Sequence, residues 1–195
     1  MSALDPSPTE GGPILRTGRL VLRTVTRGYA PAIVRYLTEN REHLAGSVPG
    51  WPPDYLTPEF WEGRAEQNRL ELARGEALRL LVLPRDDPAR VIGMVTFTAI
   101  TLGASYSCWL GYGIAASEQG KGLASEAVAA GIGHVFGAMG LHRVSAIYAA
   151  HNQRSGALLK RLGFTVEGYA RDYLLINGRW EDHVLTSLVN RAWRR

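Results

Sequence analysis

The chain has 195 residues, 46% hydrophobic and 21% charged, with a formal charge of +4 and a single cysteine. These values exclude bulk disorder, and a chain of this length buries roughly 70% of its unfolded surface, enough for a core without metals or disulfides. No apolar run is long enough to cross a membrane, and residues 1–13 lack the basic start and apolar centre of a signal peptide, so neither feature is expected.

The charge is uneven. Twenty of the 22 basic residues are arginine; residues 1–141 carry a net −1 and residues 142–195 a net +5. A basic C-terminal quarter favours approach to an anionic cofactor or a nucleoprotein surface. No zinc-finger spacing, basic arm or heptad run marks a nucleic-acid binder. Cys108 sits in an apolar stretch and reads as a buried thiol in a reducing, cytoplasmic setting.

In chain order, residues 1–15 read as a flexible tail, and the alternation in residues 19–25 predicts a strand. A helix follows over residues 29–39, with Pro31 tolerated in its first turn. Residues 43–55, with Gly46, Pro49, Gly50, Trp51, Pro52 and Pro53, read as an aromatic-bearing loop. Thr57 and Pro58 are the N-cap and first position of a helix that Gly75 ends. Strands are expected over residues 77–83, 91–100 and 106–114, with Gly111 and Gly113 marking a bulge or a close backbone approach. A long helix over residues 120–139 precedes a strand at 142–148, a helix at 152–162 and a strand from Phe164. Asn177-Gly178 is a hairpin turn leading to a final strand at 180–188. The pattern is one α/β domain with a mostly antiparallel sheet, in which residues 106–148 can supply one parallel pair.

Two segments carry chemistry. In Ser117-Glu118-Gln119-Gly120-Lys121-Gly122-Leu123-Ala124, glycines open a helix, so backbone N–H groups and a positive dipole end can meet phosphate oxygens. A Walker A loop is excluded because Gly122 follows Lys121, and Ala116 breaks a dinucleotide fingerprint starting at Gly111. The residues alone leave a plain helix start open as well. In the second segment, Asn152 either caps a helix or reaches a ligand, and Ser155 lies one turn on. His142, His151 and His183 form no metal-ligand spacing, and packing or hydrogen-bonding roles are expected for them.

Gln119-x-x-Gly122-x-Ala124 at a helix start, followed by Asn152-x-x-Ser155 and Leu162-Gly163-Phe164, resembles the GCN5-related N-acetyltransferases. The stretch Glu167-Gly168-Tyr169-Ala170-Arg171-Asp172-Tyr173-Leu174-Leu175-Ile176, with Trp180-x-Asp182-His183-Val184-Leu185, resembles the branch of that family acting on ribosomal-protein N-termini. The likeness spans roughly residues 16–190. It implies one α/β (α+β) acetyltransferase domain there, between the tail 1–15 and a C-terminal tail 191–195. The implied sheet is mixed and mostly antiparallel, with a splayed parallel strand pair and flanking helices. The implied acyl donor is acetyl-CoA, with no metal. The implied acceptor is the N-terminal α-amine of a protein, foremost the N-terminal alanine of ribosomal protein S5, with ribosome association and no membrane. A monomer and a homodimer both remain open.

By the same resemblance, Leu110, Gly111, Tyr112, Gly113 and Ile114 hold the pantetheine arm, and Gln119, Gly120, Lys121, Gly122, Leu123 and Ala124 the pyrophosphate. Asn152 and Ser155 face the thioester end. Ser155 is the implied proton donor, because Leu159 stands where many relatives have a tyrosine. Leu174 stands where a relative has a basic glutamate, so no base carries over; Asp172 and Glu42 are the candidates, with Tyr173 ranked behind them. Trp51, Tyr112 and Tyr173 are expected to bind the acceptor. Two other readings stay open: acetylation of a small amine, and a non-catalytic ribosome-associated module.

Overall fold

Strands near the start of the sheet are buried on both faces, because helices cover the sheet on each side. The computed structural model describes residues 12–46 and 50–194. The strands are β1 (Ile14–Arg16), β2 (Leu20–Thr24), β3 (Leu78–Pro84), β4 (Gly93–Thr101), β5 (Ser107–Ile114), β6 (Arg143–Ala149), β7 (Thr165–Ile176) and β8 (Arg179–Val189). The helices are α1 (Ala30–Glu39), α2 (Arg41–Ala45), α3 (Pro58–Ala73), α4 (Leu123–Gly137) and α5 (Gln153–Arg161). The strand order is β1-β2-β3-β4-β5-β6-β8-β7, antiparallel throughout except for the parallel pair β5 and β6.

Successive strand side chains point to opposite faces. Leu20, Leu22, Leu80 and Phe97 therefore join Leu123, Ala127 and Val128 of α4 and Leu158 of α5 in one buried cluster. Val21, Leu81 and Leu83 join Ile33 of α1, Leu44 of α2 and Trp61 of α3 in a second cluster. The single cores on either side of the sheet match the expected α/β class with flanking helices.

Local sequence explains most boundaries. Thr57 caps α3 by accepting from the Phe60 N–H at 3.3 Å, and Gly75 (φ +69°) ends it. Asn177 (φ +49°) and Gly178 (φ +77°) form the two-residue hairpin turn, with Ile176 opposite Arg179. Other boundaries differ from expectation. Residues 1–11 of the expected tail lie outside the described residues, but its last part, from Ile14, pairs with β2. The expected loop at 43–55 begins inside α2, whose Leu44 is buried, and residues 47–49, with Pro49, lie outside the described residues. The bulge falls between Thr98 and Thr101, not at Gly111 or Gly113. Gly111 is instead a close approach: a Cβ there would lie 2.9 Å from Thr96 Oγ1. The C-terminal stretch is docked at Trp193, whose Nε1 donates to the Gly140 carbonyl at 2.8 Å.

Two glycines of α4 have opposite roles. A Cβ on Gly131 would sit 2.7 Å from Cε2 of Phe97, a ring with 0% exposure, whereas one on Gly133 would meet nothing within 4 Å. Gly131→Ala is expected to destabilise by about 1–2 kcal/mol, overpacking outweighing the helix-propensity gain. Gly133→Ala is expected to stabilise by about 0.5–1 kcal/mol. Urea unfolding midpoints of the two variants check the opposite signs.

Candidate active site

The parallel pair β5 and β6 runs from Ser107↔Arg143 to Leu110↔Ala146 and then stops. β5 continues to Ile114 against β4, and β6 continues to Ala149 against β8. The strands part, and a cleft of about 1590 Å³ opens between them, lined by residues 109–114 of β5 and 147–149 of β6. Glycine at 111 and 113 removes side chains from one face of β5. A Cβ on Gly113 would lie 3.6 Å from the Tyr36 hydroxyl and from Leu44.

The glycine-rich turn closes one end of the cleft. Gly120 (φ +74°) and Gly122 (φ +77°) adopt the left-handed region, and α4 starts directly after them at Leu123. Gly120, Gly122, Leu123, Ala124 and Ser125 all line the cleft. The first N–H groups of α4 have no acceptor within the helix, so the turn offers donors and a positive dipole end to an anion. Arg154 and Arg161 also line the cleft, and neither is in an ion pair among the described residues.

Side chains around the turn hold its shape. Lys121, expected at the pyrophosphate, instead pairs with Glu118 at 2.9 Å and is not part of the cleft wall. Its backbone lies between two left-handed glycines, and the buried Glu118 carboxylate, also paired with Arg90 at 3.0 Å, draws the ammonium away. Arg19 donates to the Lys121 carbonyl at 2.8 Å and pairs with Glu126. The Gln119 side chain is a strut: its Nε2 meets Nε2 of His43 at 2.9 Å, and its Oε1 accepts from Arg154.

At the middle of the cleft, Tyr112 Oη and Ser155 Oγ are 2.6 Å apart. Burial pushes the Tyr112 phenol above its ordinary value, and the Ser155 hydrogen bond acts the other way. Asn152 is the N-cap of α5, accepting from the Ser155 N–H at 3.1 Å. It orients Ser155 while remaining in the cleft wall. Trp51 lines the opposite side, tilted against Tyr55 at 5.2 Å, and Tyr173 lines the far end.

Of the base candidates, Tyr173 lines the cleft, whereas Asp172 and Glu42 lie elsewhere. Asp172 sits in a bulge of β7 between Ala170 and Leu174, in the left-handed region at φ +48°. Its N–H donates to Asp182 Oδ1 at 2.8 Å, and its exposed side chain is not in the cleft wall. That bulge turns Tyr173 and Leu174 into the wall instead. Glu42 is exposed on α2, where Leu44 takes the buried position and His43 the cleft. Sequence reasoning missed Tyr36, Glu181 and His183 as wall residues. The hairpin could have revealed Glu181: counting back from a two-residue turn places it opposite Leu174, as observed. Burial raises the Cys108 thiol to about 12, so it supplies no thiolate. Among the described residues, no group of three metal-ligating side chains comes together.

A parted parallel pair beside a glycine turn and a helix start is an architecture that known proteins share. Residues 19–165 match the family model described as an acetyltransferase (GNAT) domain. The chain is 40% identical over 179 residues to the ribosomal protein uS5-alanine N-acetyltransferase of Escherichia coli (strain K12), with 92% of each chain covered. Its structure is similar to that of the ribosomal-protein-S5-alanine acetyltransferase from Vibrio fischeri, with a TM-score of 0.90 at 34% identity, covering 94% of this chain and 100% of that one. It is also similar to Mycobacterium smegmatis RimJ in complex with CoA-disulfide, with a TM-score of 0.83 at 31% identity, covering 95% and 89%. The chain belongs to the GNAT family of acetyltransferases, and it is an acyltransferase.

The Lys121 hydrogen bond, followed by that of Arg90, holds the Glu118 carboxyl below its ordinary value. Its contribution to stability is therefore complete above the unfolded carboxylate value and lost as pH falls through the lower folded one. Glu118→Gln is expected to cost about 1–2 kcal/mol at neutral pH and to flatten the acid limb of the stability curve. Thermal unfolding of both proteins between about pH 7 and pH 3 checks this.

Proposed function

We propose that the protein transfers an acetyl group from acetyl-CoA to the N-terminal α-amine of a protein, with the alanine that begins ribosomal protein S5 as its acceptor. The observation that carries this reading is the open backbone of residues 111–114, which leads from the glycine turn to the Tyr112–Ser155 hydroxyl pair. A donor made of a pyrophosphate and an amide-bearing arm fits these residues. The phosphates suit the first N–H groups of α4 and the cations Arg154 and Arg161; the amides suit the unpaired edge of β5. Acetyl-CoA supplies an activated acyl group as a thioester.

The protein's own residues do the rest. Leu110, Gly111, Tyr112, Gly113 and Ile114 align the arm; Gly120, Gly122, Leu123 and Ala124 hold the anionic end. Asn152 fixes the first turn of α5, so Ser155 stays within 2.6 Å of Tyr112. A lone serine is a weak acid, but the paired hydroxyls form a short relay that can deliver a proton to a departing sulfur. An α-amine titrates at about 7.7–8.0, so part of it is neutral at physiological pH. The apolar wall of Trp51 and Tyr55 suits a small first side chain such as alanine.

The relatives from E. coli and V. fischeri, whose names specify S5 alanine, support the acceptor. An acceptor of that kind places the protein in the cytoplasm with the ribosome. No helix among the described residues is long and apolar enough to cross a membrane.

Incubation with acetyl-CoA and a panel of an alanine-initiated S5 peptide, free alanine and small amines tests the reading by mass spectrometry. Acetylation of the peptide α-amine is expected; transfer only to the small amines would refute the protein acceptor. Ser155→Ala is expected to lower kcat about 10- to 100-fold while leaving the acetyl-CoA KM within about threefold, measured by thiol release.

A further inference from the structure

The acceptor amine needs a proton acceptor on its own side of the sheet. Cross-strand partners share a face, so side-chain parity locates that side. Tyr112 has the parity of Leu110, in the cluster with α4 and α5, and its hydroxyl meets Ser155 of α5. Gly113 has the other parity and faces Tyr36 and Leu44 of α1 and α2. On β6, Tyr148 packs on the α4–α5 cluster and pairs with Val184, so its neighbour Ala149 and the partner His183 face the α1–α2 side. Glu181, two residues before His183, shares that face.

On this side the cleft offers few proton acceptors. Its wall contains two carboxylates, Glu118 and Glu181. Glu118 is consumed by Lys121 and Arg90 at the glycine turn. His43 is bonded to Gln119 there. His183 differs. Its Nδ1 lies 2.9 Å from the Glu181 main-chain carbonyl, which can only accept, so Nδ1 carries a hydrogen and the neutral form of the ring has its lone pair on Nε2. Nε2 has no hydrogen-bond partner among the described residues, it is not an enclosed orphan, and the residue lines the cleft. The residue itself is only 5% exposed, and the Tyr173 ring packs against it at 5.8 Å, so the imidazole is held in place.

We propose that His183 is the general base that takes a proton from the acceptor α-ammonium, a reading that rests on the acetyltransferase function proposed above. The ammonium gives one proton to Nε2, and the nitrogen lone pair freed by this forms the new C–N bond at the acyl carbon. As the C–S bond breaks, its electron pair stays on sulfur. The nitrogen then sheds a second proton, and the sulfur takes one through the Ser155–Tyr112 hydroxyls. The imidazolium returns its proton to solvent, so one proton is released per turnover. The groups facing the ring are Tyr173 from β7, Glu181 on its own strand with His151 at 3.8 Å, and Tyr36 across the cleft. Asp182 lies on the opposite face, bound to the Tyr169 hydroxyl and the Asp172 N–H.

The test uses the full chain, acetyl-CoA and the alanine-initiated peptide, or whichever amine of the panel is acetylated. His183→Gln is expected to lower kcat about 100-fold near neutral pH, with the acetyl-CoA KM within about twofold. The deficit should shrink below about tenfold near pH 9.5, where the free amine is already deprotonated. Any loss in Glu181→Gln should be the same at every pH. A His183→Gln deficit that is the same at every pH would overturn the assignment, as would a pH-dependent loss in Glu181→Gln in place of His183→Gln. His183→Asn, checked with His183→Gln for a wild-type circular dichroism spectrum, serves if the first variant does not fold. Because the panel identifies the acceptor separately, a failure of the peptide to react refutes the acceptor and leaves the base to be tested on the amine that does.

Discussion

The parting of β5 and β6 after Leu110↔Ala146 is the constraint on which the rest of the molecule depends. A parallel pair needs a long crossover, here α4, and that crossover brings a helix start to the end of β5. Had the pair continued to Ile114, the backbone edge of residues 111–114 would be consumed by β6. Because it stops, one strand edge is held rigid by β4 while its other side faces a cleft. Buried backbone polar groups need partners, so such an edge in a cleft is prepared for a ligand carrying amides.

Strand alternation then divides the labour. One residue parity of β5 gives Tyr112 to the α5 side, where Ser155 waits; the other parity gives glycine to the α1–α2 side, where space for an acceptor is needed. The same alternation on β8 gives Val184 to the first side and His183 to the second. The two faces meet in the cleft where the strands separate. Reaction geometry is thus a consequence of the pleat and of where one ladder ends, more than of any single motif. The uneven charge follows the same layout: Arg154 and Arg161, from the basic C-terminal quarter, stand in the cleft wall.

Local chemistry made much of this legible. The Thr57 cap, the Asn177-Gly178 turn, the glycines before α4 and the Asn152 cap each act within a few residues, and each was readable from the sequence. What escaped reading depends on distant partners. Lys121 looks like a phosphate ligand until Arg90, 31 positions earlier in the chain, helps fix Glu118 as its counter-ion. Gln119 belongs to a local motif, but its amide joins α2 to α5. Asp172 looked like a base because its hairpin borders the cleft, yet a bulge clamped by Asp182 displaces it and advances Tyr173 and Leu174. His183 was read as a packing residue; its free ring nitrogen emerges only once the register of β6, β7 and β8 is fixed.

Hydrogen–deuterium exchange of the full chain with and without acetyl-CoA reads the backbone groups that the parted strands leave open. New protection is expected at residues 111–114 and in the first turn of α4, with β1 and β2 unchanged. Binding that leaves residues 111–114 unprotected, or protects only surfaces outside the cleft, would contradict it.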